Sequence, residues 1–200
     1  MNPNALALGC AALGNDYGPA PVKDYGLARD IIHASYEGGV RWFDTAVAYG
    51  KSEEWLAKAL GEIGAYDAQV VTKVYPAQVS MLPGAHCVLG HDGRLPETAK
   101  AGQMLGVSVY DIATAWQALG NPDTQAIQVP LNIFQTGFLT SGIIQEAVGT
   151  GRFTMVRSVL MRGILNSDPR NSIEWAQLVA PGAVVVVGAD SPEHVRGWFA

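Results

Sequence analysis

The stretch RWFDTAVAYGKSEEWLAKAL, residues 41–60, reads as a strand followed by a helix, with two polar groups between them. An apolar run from Val40 ends on Asp44, Tyr49 stands in the loop beyond it, and an amphipathic segment opens at Ser52. Ser52 suits an N-cap, and Glu53 and Glu54 fall in the first turn, where the helix dipole favours negative charge. Trp55, Leu56, Ala59 and Leu60 recur at helical spacing. The open question is why a carboxylate should sit at the carboxyl end of an apolar strand.

The same rhythm extends in both directions. Runs rich in Val, Ile and Leu, punctuated by Gly or Pro, predict strands over 5–9, 40–44, 69–74, 86–90, 104–109, 126–130, 153–158 and 183–188. Between the first two, Leu27, Ala28, Ile31, Ile32, Ser35 and Tyr36 line one helical face ending at Gly38 and Gly39. Further helices are predicted over 111–119, 141–148, 172–179 and 191–199. Strands alternating with helices are the mark of parallel βαβ units. Eight of them in 200 residues leave about 25 residues per unit, the lower limit for a (β/α)8 barrel. The expected fold is therefore α/β, a compact (β/α)8 TIM barrel with shortened or missing helices, forming one domain over residues 1–200. The connection YPAQVSMLPGA, residues 75–85, carries two prolines and no helical period, and is expected to be a loop. A doubly wound open sheet is disfavoured because the first βα turn lacks a GxGxxG phosphate fingerprint.

Composition narrows the partners. A chain with 48% hydrophobic residues can bury a substantial core. Thirteen Lys and Arg against eighteen Asp and Glu give a net charge of -5, with no basic run suited to a phosphate backbone, so nucleic acid is not an expected partner. Cys10 and Cys87 lie far apart without CxxC spacing or a secretory signal, which points to a reduced, cytoplasmic chain. The longest apolar run, at 183–189, is too short to cross a bilayer.

In such a barrel the active site lies at the carboxyl ends of the strands. Asp44 ends the second strand, Lys73 the third, and His91 follows the fourth, with Tyr49 in the loop after Asp44. Each has a plain structural reading, as turn, cap or packing residue. Lys73 is the hardest to dismiss, because a lysine directly after VVT in an apolar strand needs a partner, and Asp44 is the candidate. A metal is not expected: His86, Cys87 and His91 cluster in sequence, but the remaining histidines and Cys10 fall on other elements.

FDTAVAYGKSEEWLAKAL together with VVTK resembles the aldo-keto reductases, whose signature is an Asp-Thr-Ala segment, a Tyr-Gly before a Ser-Glu helix start, and a Thr-Lys at the next strand end. LGCAALGNDYGP, GVS at 106–108, IQVPLN at 127–132, RSVLMRGIL at 157–165 and VVGADSPEHV at 186–195 follow in family order. The opening segment is similar to the branch that oxidises sugars or pyridoxal. The resemblance implies an NAD(P)-dependent oxidoreductase moving hydride between NADP or NAD and a small carbonyl compound or its alcohol. Tyr49 would be the general acid or base, Lys73 would assist it, Asp44 would pair with Lys73, and His91 would orient the carbonyl oxygen. His91 is preferred over His86, which lies at the wrong end of its strand, although only residues 74–90 separate Lys73 from His91.

On the cofactor side, the resemblance places Ser108 and Gln128 against the nicotinamide carboxamide, and Arg157, Ser158 and Leu160 along the cofactor. Val109 stands where the family usually has Asn, and Arg157 where many members carry a stacking aromatic. After the eighth strand, Gly188 would allow close approach, Ser191 would cap a phosphate-facing helix start, and Arg196 would either meet an adenosine phosphate or lie in solvent, with Asp190 opposing the anion. Tyr17, Trp42 and Trp116 are candidates to line the substrate side. Family members usually continue into a tail over the substrate, whereas this sequence stops shortly after the eighth strand. The rival reading is a catalytically silent barrel of the same family acting as a binding or regulatory protein; a phosphosugar isomerase or lyase would give Tyr49 no clear role.

Overall fold

The computed structural model describes residues 6–18, 21, 22, 24–82, 84–97, 100–165 and 168–199, without the side chain of Arg162. Eight strands, β1 (Leu6–Gly9), β2 (Trp42–Asp44), β3 (Gln69–Val74), β4 (Cys87–Gly90), β5 (Met104–Ser108), β6 (Ala126–Pro130), β7 (Phe153–Arg157) and β8 (Val184–Gly188), run parallel in chain order. The eighth pairs with the first to close a barrel. The expected α/β barrel is the observed fold.

Strand alternation sorts the apolar residues into two cores. Ala7, Trp42, Val71, Cys87, Leu89, Ala126, Phe153, Met155, Val184 and Val186 pack inside the barrel. Their chain neighbours, among them Leu8, Phe43, Val70, Ile127, Val156 and Val185, pack outward against the helices. Trp42 and Phe153 stack at 4.3 Å between ring centroids, so Trp42 fills the barrel and is not part of a substrate wall. Two residues further along the inward rows come Gly9, Asp44, Lys73, His91, Ser108, Gln128, Arg157 and Gly188. These are the positions the sequence fills with small or polar residues, and the site lies there.

The helices are α1 (Tyr25–Glu37), α2 (Ser52–Glu62), α3 (Ile112–Gly120), α4 (Gly137–Thr140), α5 (Ile143–Gly149), α6 (Pro169–Val179) and α7 (Pro192–Gly197). Asp24, Asp111, Asp168 and Ser191 cap α1, α3, α6 and α7 with side-chain oxygens that accept from backbone N–H groups. Ser52 does not cap α2. Lys51 holds that position and Ser52 is the first helical residue. Its buried Oγ donates to the Cys10 carbonyl at 3.0 Å and pairs with Thr45 Oγ1 at 2.8 Å, tying α2 to the loops after β1 and β2. The helix expected over 141–148 starts at Ile143, after Gly142 with its left-handed φ of 80°, and the short α4 precedes it. α6 starts three residues before the expected Ser172, because Asp168 caps it and Pro169 suits its first turn.

Among the described residues no helix joins β3 to β4, as the prolines of 75–85 led us to expect, and none joins β4 to β5. The two loops enclose a cleft of about 490 Å³ over the outer face of Val88. Gly90 ends β4 where the chain folds back on itself: a Cβ there would stand 1.5 Å from the Arg94 carbonyl oxygen. That turn delivers His91 to the barrel mouth. No helix among the described residues is long and apolar enough to cross a membrane.

Candidate active site

A cavity of about 280 Å³ opens at the carboxyl end of the barrel, lined among others by Asp44, Tyr49, His91, Arg157 and Gly188. Beneath it lies Lys73, 1% exposed. Its Nζ donates to Asp44 Oδ2 and to the Thr45 carbonyl, both at 2.8 Å, and stands 4.9 Å from the centroid of the Tyr49 ring. An ammonium has three N–H bonds, so one remains for the phenol. The expected convergence of Asp44, Tyr49, Lys73 and His91 is what the fold produces.

The charges of this cluster constrain one another. Burial pushes the Lys73 amine down, but Asp44 and then Tyr49 outweigh it, and the amine ends above its ordinary value. Tyr49 is raised, first by burial, against the lowering effect of Lys73. The lysine therefore moderates the phenol without making it acidic, and Tyr49 is protonated at neutral pH. His91 is held down to about 4, by burial first and by the Lys73 ammonium second, and is neutral. Its Nδ1 is buried without a hydrogen-bond partner among the described residues. An unpartnered acceptor costs less than an unpartnered N–H, so the proton belongs on Nε2, the nitrogen left to face a ligand.

Asp44 is held on both sides. Gln128 Nε2 donates to Asp44 Oδ1 at 2.8 Å, and Ser108 Oγ donates to Gln128 Oε1 at 3.2 Å. Ser108 and Gln128 are register partners on β5 and β6, so their side chains meet inside the barrel. Both are fully buried, and neither lines the cavity. These hydrogen bonds are contacts that the sequence reading did not include. The two residues clamp Asp44 from across the barrel.

Other expected residues divide similarly. Arg157, Ser158, Leu160 and Gly188 line the cavity. The Arg157 guanidinium donates to the Val109 carbonyl at 3.0 Å and lies 4.4 Å over the Tyr110 ring, so it is already stacked. Ser158 has a φ of 64°, uncommon for a non-glycine residue, where β7 turns into the cavity wall. Ser191 caps α7 by accepting from His194 N at 3.2 Å, as expected, but does not line the cavity. Arg196 does not reach it either: it pairs with Glu193 at 3.0 Å on the exposed side of α7. At that edge the cavity presents instead Asp190 paired with His194. Tyr17 lines the cavity, whereas Trp116 sits partly exposed on α3. Tyr110 and His194 escaped the sequence reading; the signal for Tyr110 was its place directly beyond the fifth strand. His86 lies at the opposite end of β4, its Nδ1 accepting from Val70 N at 3.2 Å. Among the described residues, no group of three or more His, Cys, Asp or Glu side chains is placed to hold a metal.

The cavity floor leaves room for a flat ring such as nicotinamide. Gly9 and Gly188 are register partners, and a Cβ on Gly188 would meet only the Gly9 carbonyl oxygen at 3.8 Å, so the floor is bare where a flat ring needs room.

Residues 5–102 match the sequence profile of the Aldo/keto reductase family. No curated protein matches the chain. Among solved structures, a Pseudomonas aeruginosa protein assigned to the aldo-keto reductases superposes with a TM-score of 0.73 at 22% identity, over 96% of this chain and 87% of its own. An aldo-keto reductase from Bacillus halodurans in its holo form gives 0.73 at 15%, covering 96% and 84%. A thermostable aldo-keto reductase in complex with the inhibitor epalrestat gives 0.70 at 21%, covering 97% and 88%. The likeness to these three is one of fold.

Proposed function

With aldo/keto reductase sequence over residues 5–102 and that family's barrel throughout, we propose that this chain is an NAD(P)-dependent oxidoreductase acting on a small carbonyl compound or its alcohol, an aldehyde, ketone or sugar. The observation that carries the proposal is Lys73: a fully buried ammonium, paired with a carboxylate and facing a phenol at the wall of a cavity. A silent scaffold has no physical use for a buried charge pair, which costs desolvation energy that packed apolar side chains would avoid.

In the reductive direction the protonated Tyr49 gives its proton to the carbonyl oxygen, and Lys73 stabilises the phenolate left behind. His91, neutral and with Nε2–H toward the cavity, donates a hydrogen bond to the same oxygen and fixes which face of the carbonyl is presented. Asp44 keeps Lys73 charged and in place, which explains the carboxylate at the end of β2. Gly9, Gly188 and the segment Arg157–Leu160 would hold NADP or NAD, which when bound supplies or accepts the hydride.

Titration of the protein with NADH and NADPH, followed by nicotinamide fluorescence, tests this directly. Binding of either supports the oxidoreductase; binding of neither supports the silent barrel.

A further inference from the structure

His91 is a ring whose orientation no hydrogen bond at Nδ1 secures. The last torsion of histidine is broad and roughly two-fold, so a ring flip that puts Nδ1 in the place of Cδ2 and Nε2 in the place of Cε1 must be prevented by packing. Tyr49 touches the ring edge-on at 5.8 Å and 83°. Tyr75 lies flat against it, centroids 4.7 Å apart and planes 22° from parallel, and is itself 41% exposed.

Tyr75 is the first residue after β3, at the head of the connection that has no helix. That connection is anchored by another group the proposed reaction leaves unused. Glu53, on α2 and 4% exposed, accepts from Thr72 Oγ1 and Ser80 Oγ at 2.6 Å through Oε1, and from Met81 N at 3.0 Å through Oε2. Gln78 closes the turn, its Oε1 accepting from Tyr75 N at 2.9 Å. A line of contacts thus runs from α2 through Glu53 to the loop, to Tyr75 and to His91.

We propose that Tyr75 is the positioning residue for His91, and that Glu53 serves as the fastening a helix would otherwise provide. The role of His91 rests on the oxidoreductase reading, but the positioning does not. Besides Tyr49 and Tyr75, the groups that act on the imidazole are Lys73 on β3, Asp44 on β2, Arg157 on β7 and Asp92 in its own turn. Lys73 and Arg157 oppose its protonation, Asp44 and Asp92 favour it, and burial is the largest single effect. Removing the Tyr75 ring admits water to one face of His91 while leaving those charges in place.

The test is an NMR pH titration of the His91 ring in the wild-type chain and in Tyr75→Phe, Tyr75→Ala and Glu53→Gln. In the wild type and Tyr75→Phe the imidazole stays neutral down to about 4. In Tyr75→Ala it titrates in the ordinary histidine range near ~6.5, and Glu53→Gln moves it in the same direction by less. Under turnover, Tyr75→Ala lowers kcat by about 10-fold, part of what general acid and orientation effects supply, while nucleotide affinity is unchanged and Tyr75→Phe restores the rate. An unaltered His91 titration in a folded Tyr75→Ala variant overturns the proposal. Absence of turnover in every form, the wild type included, would count against the oxidoreductase reading and leave the NMR result to decide the role of Tyr75. If Glu53→Gln does not fold, the Tyr75 pair decides alone, because that side chain is partly exposed.

Discussion

The half of the barrel from β1 to β4 and the half from β5 to β8 use the same device, a polar residue two positions beyond an inward apolar one, to different ends. In the first half Asp44, Lys73 and His91 meet Tyr49 at the cavity. In the second, Ser108 and Gln128 stay below it and clamp Asp44, and Arg157 is engaged by the Val109 carbonyl and Tyr110. The family profile covers only the first half, ending before β5. The first half brings the titratable groups together; in the second, Ser108 and Gln128 restrain one of them. The lesson is that a polar residue at a strand end can serve another side chain across the barrel as well as the cavity.

The strongest way to break this comparison is Lys73→Met. Leaving Asp44 buried without its cation costs about 3–5 kcal/mol in urea unfolding and abolishes turnover. Tyr49→Phe should keep nucleotide binding nearly intact and lower turnover by at least ~10²-fold in steady-state assays, because it removes only the transferable proton. Gln128→Leu separates the two halves most sharply. It strips Asp44 Oδ1 of its donor and destabilises by about 1–3 kcal/mol, with nucleotide affinity little changed; a large loss of affinity with stability intact would return Gln128 to the cofactor. A smaller effect concerns pH. The His91 pKa is depressed to about 4 when folded against ~6.5 when unfolded, so the unfolded chain binds more protons between these values. The contribution is complete above ~6.5 and is lost as pH falls toward 4, a slope that thermal unfolding across pH should show and that His91→Gln should flatten. Smallest of all, Arg196→Ala should leave nucleotide affinity within about twofold, since its partner is the exposed Glu193.

Continuous apolar runs made the eight strands legible, with ends at most two residues from those observed, because each strand is buried on both faces. The four reactive groups were legible because each stands at or just beyond a strand end or in the loop after it, the only places where a polar residue interrupts such a run without loss. Ser52 was misread because a serine before two glutamates looks like a cap, whereas contact with the Cys10 carbonyl, 42 residues away in the chain, outweighs the local role. The Gln128 bond to Asp44 was not legible for the same reason: the two lie 84 positions apart, on opposite sides of the barrel.

By itself, the sequence determined the order of strands and helices, the closure they imply and the identity of the groups at the mouth, since alternation and capping are local and each is set by residues a few positions apart. Only the tertiary structure decided which of those groups reach the cavity and which restrain one another, that a tyrosine from a helixless loop lies against His91, and that burial keeps Tyr49 protonated beside an ammonium. Those outcomes depend on distances across a closed ring of strands and on how much water the ring excludes.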